Sequence, residues 1–143
     1  MLCHVFTRAH QVFVPSTART DAGFYLDVEP VDVVSVGDRE GIRRAILRVL
    51  IEGNQACSTP KRASFPKPVL LRHARVRSWG QFEKNAVCWN IREQDGVFQL
   101  TRQLPNPSGG WGPEADRQLT WQLGKDREAI VAEMVEEILK PNL

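Results

Sequence analysis

Apolar residues recur along this chain with two different periods, and the changes of period mark out its elements. From Arg39 to Glu52, Ile42, Ala45, Ile46, Val49 and Leu50 fall at the i, i+3, i+4, i+7, i+8 spacing of one helix face. Arg39, Arg43, Arg44, Arg48 and Glu52 take the other side. Asp38 or Ser35 caps this helix, and Gly53-Asn54 ends it, since glycine accepts the left-handed terminal conformation. A second helix follows its cap at Asp126, with Ile130, Val131, Met134, Val135, Ile138 and Leu139 as its stripe and Pro141 just beyond.

Elsewhere period two dominates. Residues 3–14 predict a strand with broken alternation, stopped by Pro15. Residues 16–23 read as a polar loop ending in the turn signal Asp21-Ala22-Gly23. From Phe24 onward Phe24, Leu26 and Val28 point one way and Tyr25, Asp27 and Glu29 the other, a half-solvated strand that pairs with 3–14. Pro30 cannot donate to a ladder and argues for a bulge or an edge. Residues 54–68 contain three prolines and read as a loop, with 68–71 a short extended segment. Ser78-Trp79-Gly80-Gln81 has the form of a capping box opening a short helix to about Lys84. Strands at 86–93 and 97–104 flank Gln94-Asp95-Gly96, a tight turn. Residues 105–116, with three prolines and three glycines, read as a loop, after which Leu119, Trp121 and Leu123 alternate as a fifth strand.

The order is β-β-α-(short α)-β-β-β-α. Strands that arrive in hairpins predict an α+β fold, an antiparallel sheet of about five strands with the two longer helices on one face. The opposite face is then partly open and free to dock a partner. At 143 residues, with 42% hydrophobic and 25% charged residues, the chain fits one domain spanning 1–143. Cys3, Cys57 and Cys88 are an odd set without framework spacing, so free thiols in a reducing cytosol are the simpler reading. The first residues, MLCHVFTRAHQ, break their apolar run with His4, Arg8 and His10 and do not form a signal peptide. No apolar run is long enough to span a membrane, and the chain is expected to work in the cytoplasm.

Net charge is only +2, but its distribution is uneven. Asp21, Asp27, Glu29, Asp32 and Asp38 follow one another with no intervening base. Lys61, Arg62, Lys67, Arg72, Arg75, Arg77 and Lys84 are interrupted by one acid, Glu83. Such segregation predicts an acidic and a basic region. Asp27 and Glu29 read either as the wet side of a sheet or as a face that docks a cationic partner. The basic run, interleaved with Phe65, Trp79 and Phe82, reads either as solvated charge around core anchors or as a single-strand nucleic-acid surface. No RNP, KH or helix-turn-helix signature supports the latter.

Signals for chemistry are absent. On a strand Cys3 and His4 point to opposite faces, and neither C-x-x-C nor H-x-x-x-H spacing occurs, so no metal site is expected. G-x-S-x-G is missing, no nucleophile has an identifiable base, and Gly109-Gly110-Trp111-Gly112 lacks the preceding strand of a phosphate cradle. It reads instead as a tryptophan-tipped surface loop. No catalytic residue and no cofactor is predicted. An enzyme is favoured only if the fold brings His4, His10 or His73 into a cleft beside a carboxylate or thiol.

A pattern of packing and turn residues carries a family resemblance. Pro68-Val69-Leu70-Leu71, Ala74, Val76-Arg77-Ser78-Trp79, Phe82, Ala86, Trp89 and Ile91 form its centre. Glu40-Gly41-Ile42 with Ala45-Ile46, Gly53-Asn54, and Gly109-Gly110-Trp111 support it, over residues 38 to 123. In these positions the chain resembles the small immunity proteins of bacterial contact-dependent growth inhibition systems. The resemblance implies a cytoplasmic, non-enzymatic antidote that binds one cognate toxin domain, often a nuclease, in a one-to-one complex. Immunity proteins are commonly acidic, whereas this chain is mildly basic, so either charged region qualifies as the contact. Contact residues diverge between cognate pairs and none transfers from the family. From the charge segregation and the aromatic and arginine anchors that interfaces favour, the candidate toxin contacts are Tyr25, Asp27, Glu29 and Asp32 on the acidic side, and Arg72, Arg75, Arg77 and Trp111 on the basic and loop side. The alternative is an RNA-binding or regulatory module that uses residues 61–84.

Overall fold

The computed structural model of the chain describes residues 1–122 and 124–141. Its seven strands are β1 (Leu2–Arg8), β2 (Gln11–Thr20), β3 (Tyr25–Ser35), β4 (Ala56–Cys57), β5 (Val87–Gln94), β6 (Val97–Pro105) and β7 (Trp111–Trp121). The helices are α1 (Arg39–Glu52), α2 (Leu70–Ala74), α3 (Trp79–Lys84) and α4 (Arg127–Ile138). One sheet runs β3-β2-β1-β5-β6-β7 with every neighbouring pair antiparallel, and β4 adds two residues parallel to the end of β2. The α+β class is as expected, with seven strands rather than about five.

The extra strands have a common origin. Residues 3–14 are not one strand but the hairpin β1–β2, reversed at Ala9-His10 with φ of 50° and 63°. Two successive left-handed residues make the tight turn that suits strand twist, but it is usually written Asn-Gly. Here the cross-strand pair Phe6–Phe13 and its buried neighbours hold a turn that Ala9 and His10 disfavour locally. Pro15 does not end β2. It sits at a register break where Pro15 faces Val31 and Ser16 faces Val28, so Glu29 and Pro30 bulge out of the edge strand β3. A bulge at an edge is where a proline without N–H costs least. Residues 16–20, expected in a loop, thus belong to β2, with Thr17 and Thr20 buried.

Two further expectations change. Of residues 68–71, expected to be extended, Leu70 and Leu71 instead start the single-turn helix α2 and are buried. One turn is too short to display a helical period. Residues 111–116, expected in a loop, begin the edge strand β7, with Trp111 opposite Pro105 and Gly112 opposite Leu104. An edge strand needs only one side of its backbone paired, so Gly112 and Pro113 are tolerated. Leu123 of the expected fifth strand lies outside the described residues.

Both longer helices keep their expected bounds and caps: Asp38 accepts from Gly41 N–H, and Asp126 from Ala129 N–H. They pack together on one sheet face, burying Ile42, Ile46, Ile130 and Met134 against Val5, Val14, Trp89 and Leu100. The other face is not simply open. Beside β1 and β2 it is covered by α2 and α3 through Phe6, Phe13, Leu70 and Phe82. Phe82 stands edge-on to Phe6 at 5.4 Å and Phe13 at 5.8 Å, and stacks on Trp79 at 5.0 Å. Toward β6 and β7 the same face is polar, with Asn90, Arg92, Gln99, Thr101 and Gln103 around a shallow cavity.

Asn54 proves to be more than a helix stop. Its side chain accepts from Leu2 N–H at 2.8 Å and donates to the carbonyls of Leu2 at 2.8 Å and Thr17 at 2.9 Å. It therefore satisfies backbone groups on β1 and β2 at once.

Asn54→Ala leaves those groups unpaired and is expected to cost about 2–4 kcal/mol in a urea unfolding titration. Phe82→Ala removes a fully buried ring and is expected to cost about 3–5 kcal/mol. A loss below 1 kcal/mol for either contradicts the role given to it.

Candidate functional site

A concavity lies between the β3 edge and the segment 66–77 that the Phe82 cluster holds against the sheet. It measures about 720 Å³. Leu26 and Val28 of β3 form one wall; Pro66, Pro68, Val69 and Val76 form the other. Asp27, Glu29, Lys67, Arg72 and Arg77 also line it. A smaller hollow of about 200 Å³ continues past Tyr25 toward Phe65 and Trp79. Phe65 is 52% exposed and stacks on half-exposed Phe24 at 6.4 Å with 23° between the planes. An exposed aromatic pair beside an apolar hollow is unusual on a monomer surface and characteristic of binding sites.

The structure brings five of the eight candidate contacts, Tyr25, Asp27, Glu29, Arg72 and Arg77, around these two connected hollows. Arg75 is exposed on the same segment, where it ends α2 with φ of 57°. Two candidates lie elsewhere. Asp32 faces α1 and pairs with Arg48 at 2.7 Å, on the opposite side of the sheet. Trp111 is not a loop tip: it opens β7, packs on the aromatic cluster and meets the Phe6 ring at 6.3 Å.

The expected separation of charge is also modified. Asp27 accepts from Thr17 at 3.4 Å and bonds the His4 imidazole at 2.7 Å. Glu29 binds Arg72 and the His73 ring, the latter at 2.7 Å. His73 heads the interactions holding the Glu29 carboxyl below its ordinary pKa; its bond opposes the smaller effect of burial, and Arg72 adds to it. The acids of β3 are thus engaged within the molecule. Register explains why sequence reading missed this: His4 lies on β1 and Asp27 on β3, and only the intervening β2, with the bulge of β3 against it, brings the two together.

Two histidines do lie beside carboxylates, which is the geometry a small enzyme requires. Neither His4 nor His73, however, lines either hollow, so the condition of a cleft is not met there. Burial pushes Cys3 up to about 12 and Cys88 well above its ordinary value, the direction opposite to an activated thiolate. Among the described residues no group of three His, Cys, Asp or Glu side chains is arranged to hold a metal ion. Among them, too, no helix is long and apolar enough to cross a membrane.

The fold and groove define a class, a single-sheet α+β domain with an apolar cleft at one sheet edge. No family model matches the sequence, and neither does any curated protein. Two solved structures are similar in fold. One is a protein of unknown function from Neisseria meningitidis, with TM-score 0.69 and 9% identity over 95% of this chain and 91% of the other. The second is a chain of the CdiA-CT/CdiI toxin and immunity complex from Yersinia pseudotuberculosis, with TM-score 0.57 and 8% identity over 96% of this chain and 94% of that one.

The His4–Asp27 pair makes a pH prediction. Burial disfavours the His4 imidazolium, the Asp27 carboxylate outweighs that effect, and Arg92 opposes it, so the pKa is raised above 6.5. The pair's stabilisation is therefore full below pH 6.5 and is lost as pH rises through the higher folded-state pKa. An NMR titration of the His4 ring should show this raised midpoint, and Asp27→Asn should bring it below 6.5. A wild-type midpoint at or below 6.5 contradicts the pairing.

Proposed function

We propose that this chain is an immunity protein: one domain that binds a cognate bacterial toxin domain in the cytoplasm and neutralises it by tight one-to-one association, with no chemistry of its own. The observation that carries this reading is the fold likeness to a chain of a toxin and immunity complex, which extends over nearly the whole of both chains. It accords with the resemblance in the residues 68–91 and with the raised pKa values of the buried Cys3 and Cys88 thiols.

The docking surface is the groove beside β3. Tyr25, Arg72, Arg75 and Arg77 are its contact residues, with Phe65 as an exposed anchor. Asp27 and Glu29 orient it through their bonds to His4, Arg72 and His73. Aromatic and arginine side chains around an apolar hollow are the groups that most often dominate binding energy. A stable complex buries about 1,200–2,000 Å² in total, so the groove forms the centre of a wider contact. The toxin is expected to be a nuclease, as is frequent for the family the sequence resembles.

Co-expression with a candidate toxin domain taken from the neighbouring genes tests the reading. Growth should be restored and the two proteins should elute together at equal stoichiometry. Continued arrest with both proteins soluble and eluting apart rejects it.

A further inference from the structure

We infer that the surface docked into the groove is acidic, a protein segment that presents an apolar side chain flanked by carboxylates. This rests on the immunity reading and names the partner's chemistry. It departs from the expectation that carboxylates of this chain do the docking.

The acids that face the groove are already bonded. Asp27 holds His4 at 2.7 Å, and Glu29 is bound by Arg72 and His73. The bases are not. Of the seven between Lys61 and Lys84, Arg72 alone pairs with a carboxylate among the described residues. Lys67 and Arg77, both on the groove, have no such partner there. This segment carries seven bases and one acid, which leaves twelve bases and sixteen acids to the rest of the chain. A positive field is thus concentrated on one wall of an apolar cleft, and such a field attracts and orients anionic groups.

The cleft discriminates between anions. The larger hollow is walled by aliphatic and proline residues, which suit an aliphatic or aromatic side chain, and has no aromatic residue in its lining. The nearest rings, Tyr25, Phe65 and Trp79, line the smaller hollow and not the larger one, and Phe65 and Trp79 each give one face to a neighbour, Phe24 and Phe82. Single-strand nucleic-acid sites depend on free aromatic faces as well as cations. Pro66 and Pro68 stiffen the wall, so docking orders little that was mobile.

The test measures Kd for the toxin domain that the co-expression assay identifies, using the wild-type chain, Lys67→Glu, Arg77→Glu and the double variant. Arg44→Glu, exposed on α1, is the control matched in charge to each single variant. Thermal melts verify folding, and a single-stranded RNA 12-mer is titrated in parallel. The double reversal should weaken toxin binding about 100-fold, with Arg44→Glu within about twofold of wild type and wild-type affinity falling as salt rises. Tight wild-type binding that the double variant leaves unchanged or strengthens overturns the acidic partner and leaves the immunity reading standing. RNA retention at low salt that the double variant abolishes, with toxin binding unaffected, overturns it in favour of nucleic acid. No wild-type binding to the toxin removes both proposals.

Discussion

Everything at the candidate site depends on how Phe82 packs. Its ring is buried between Phe6 of β1, Phe13 of β2 and Trp79, so a helix of only six residues is fixed to the second face of the sheet. Helices this short have little stability of their own. The cluster and the cap, in which Ser78 accepts from Gln81 N–H while Gln81 accepts from Arg77 N–H, keep α3 in place. With α3 fixed, the chain before it is drawn alongside β3, and a groove forms where an edge strand would otherwise meet water. Unpaired sheet edges invite unwanted association, and the bulge at Glu29 and Pro30 together with the overlying segment protects this one.

The electrostatics follow from the same geometry. Bringing the segment after Pro66 against β3 sets Arg72 and His73 on Glu29, while the sheet register sets His4 on Asp27. Acids that look free along the chain are thereby neutralised locally, and Lys67 and Arg77 define the sign of what remains. Exposed pairs such as Arg72–Glu29 add little to stability. Their consequence is for recognition, because they decide which charges are left to meet a partner. In the same way Arg48, on the polar side of α1, binds Asp32 and Ser16 and joins that helix to β2 and β3.

Much of the architecture was legible in the sequence because it depends on local rules. Asp38 and Asp126 cap helices whose apolar stripes are unambiguous, Ser78 and Gln81 write a capping box, and Asp95-Gly96 turns with φ of 53° and 78°. What was misread shares one cause, a local signal overridden by distant packing. Ala9-His10 has no turn signature, yet reverses the chain because Phe6 and Phe13 pair across it. Trp111 follows a glycine pair that reads as loop, yet joins the sheet because β6 offers it a free edge.

The sequence by itself determined the α+β class, the two long helices, the central hairpin and the gathering of base between Lys61 and Lys84. These are set within a few residues, by periodicity, capping and composition. Only the tertiary structure decided that Tyr25, Arg72 and Arg77 share one groove, that Asp32 lies on the other face, and that the acids of β3 are spent on His4, Arg72, His73 and Arg48. Those outcomes turn on strand register and on a bulge, which compare free energies between parts of the chain far apart in sequence.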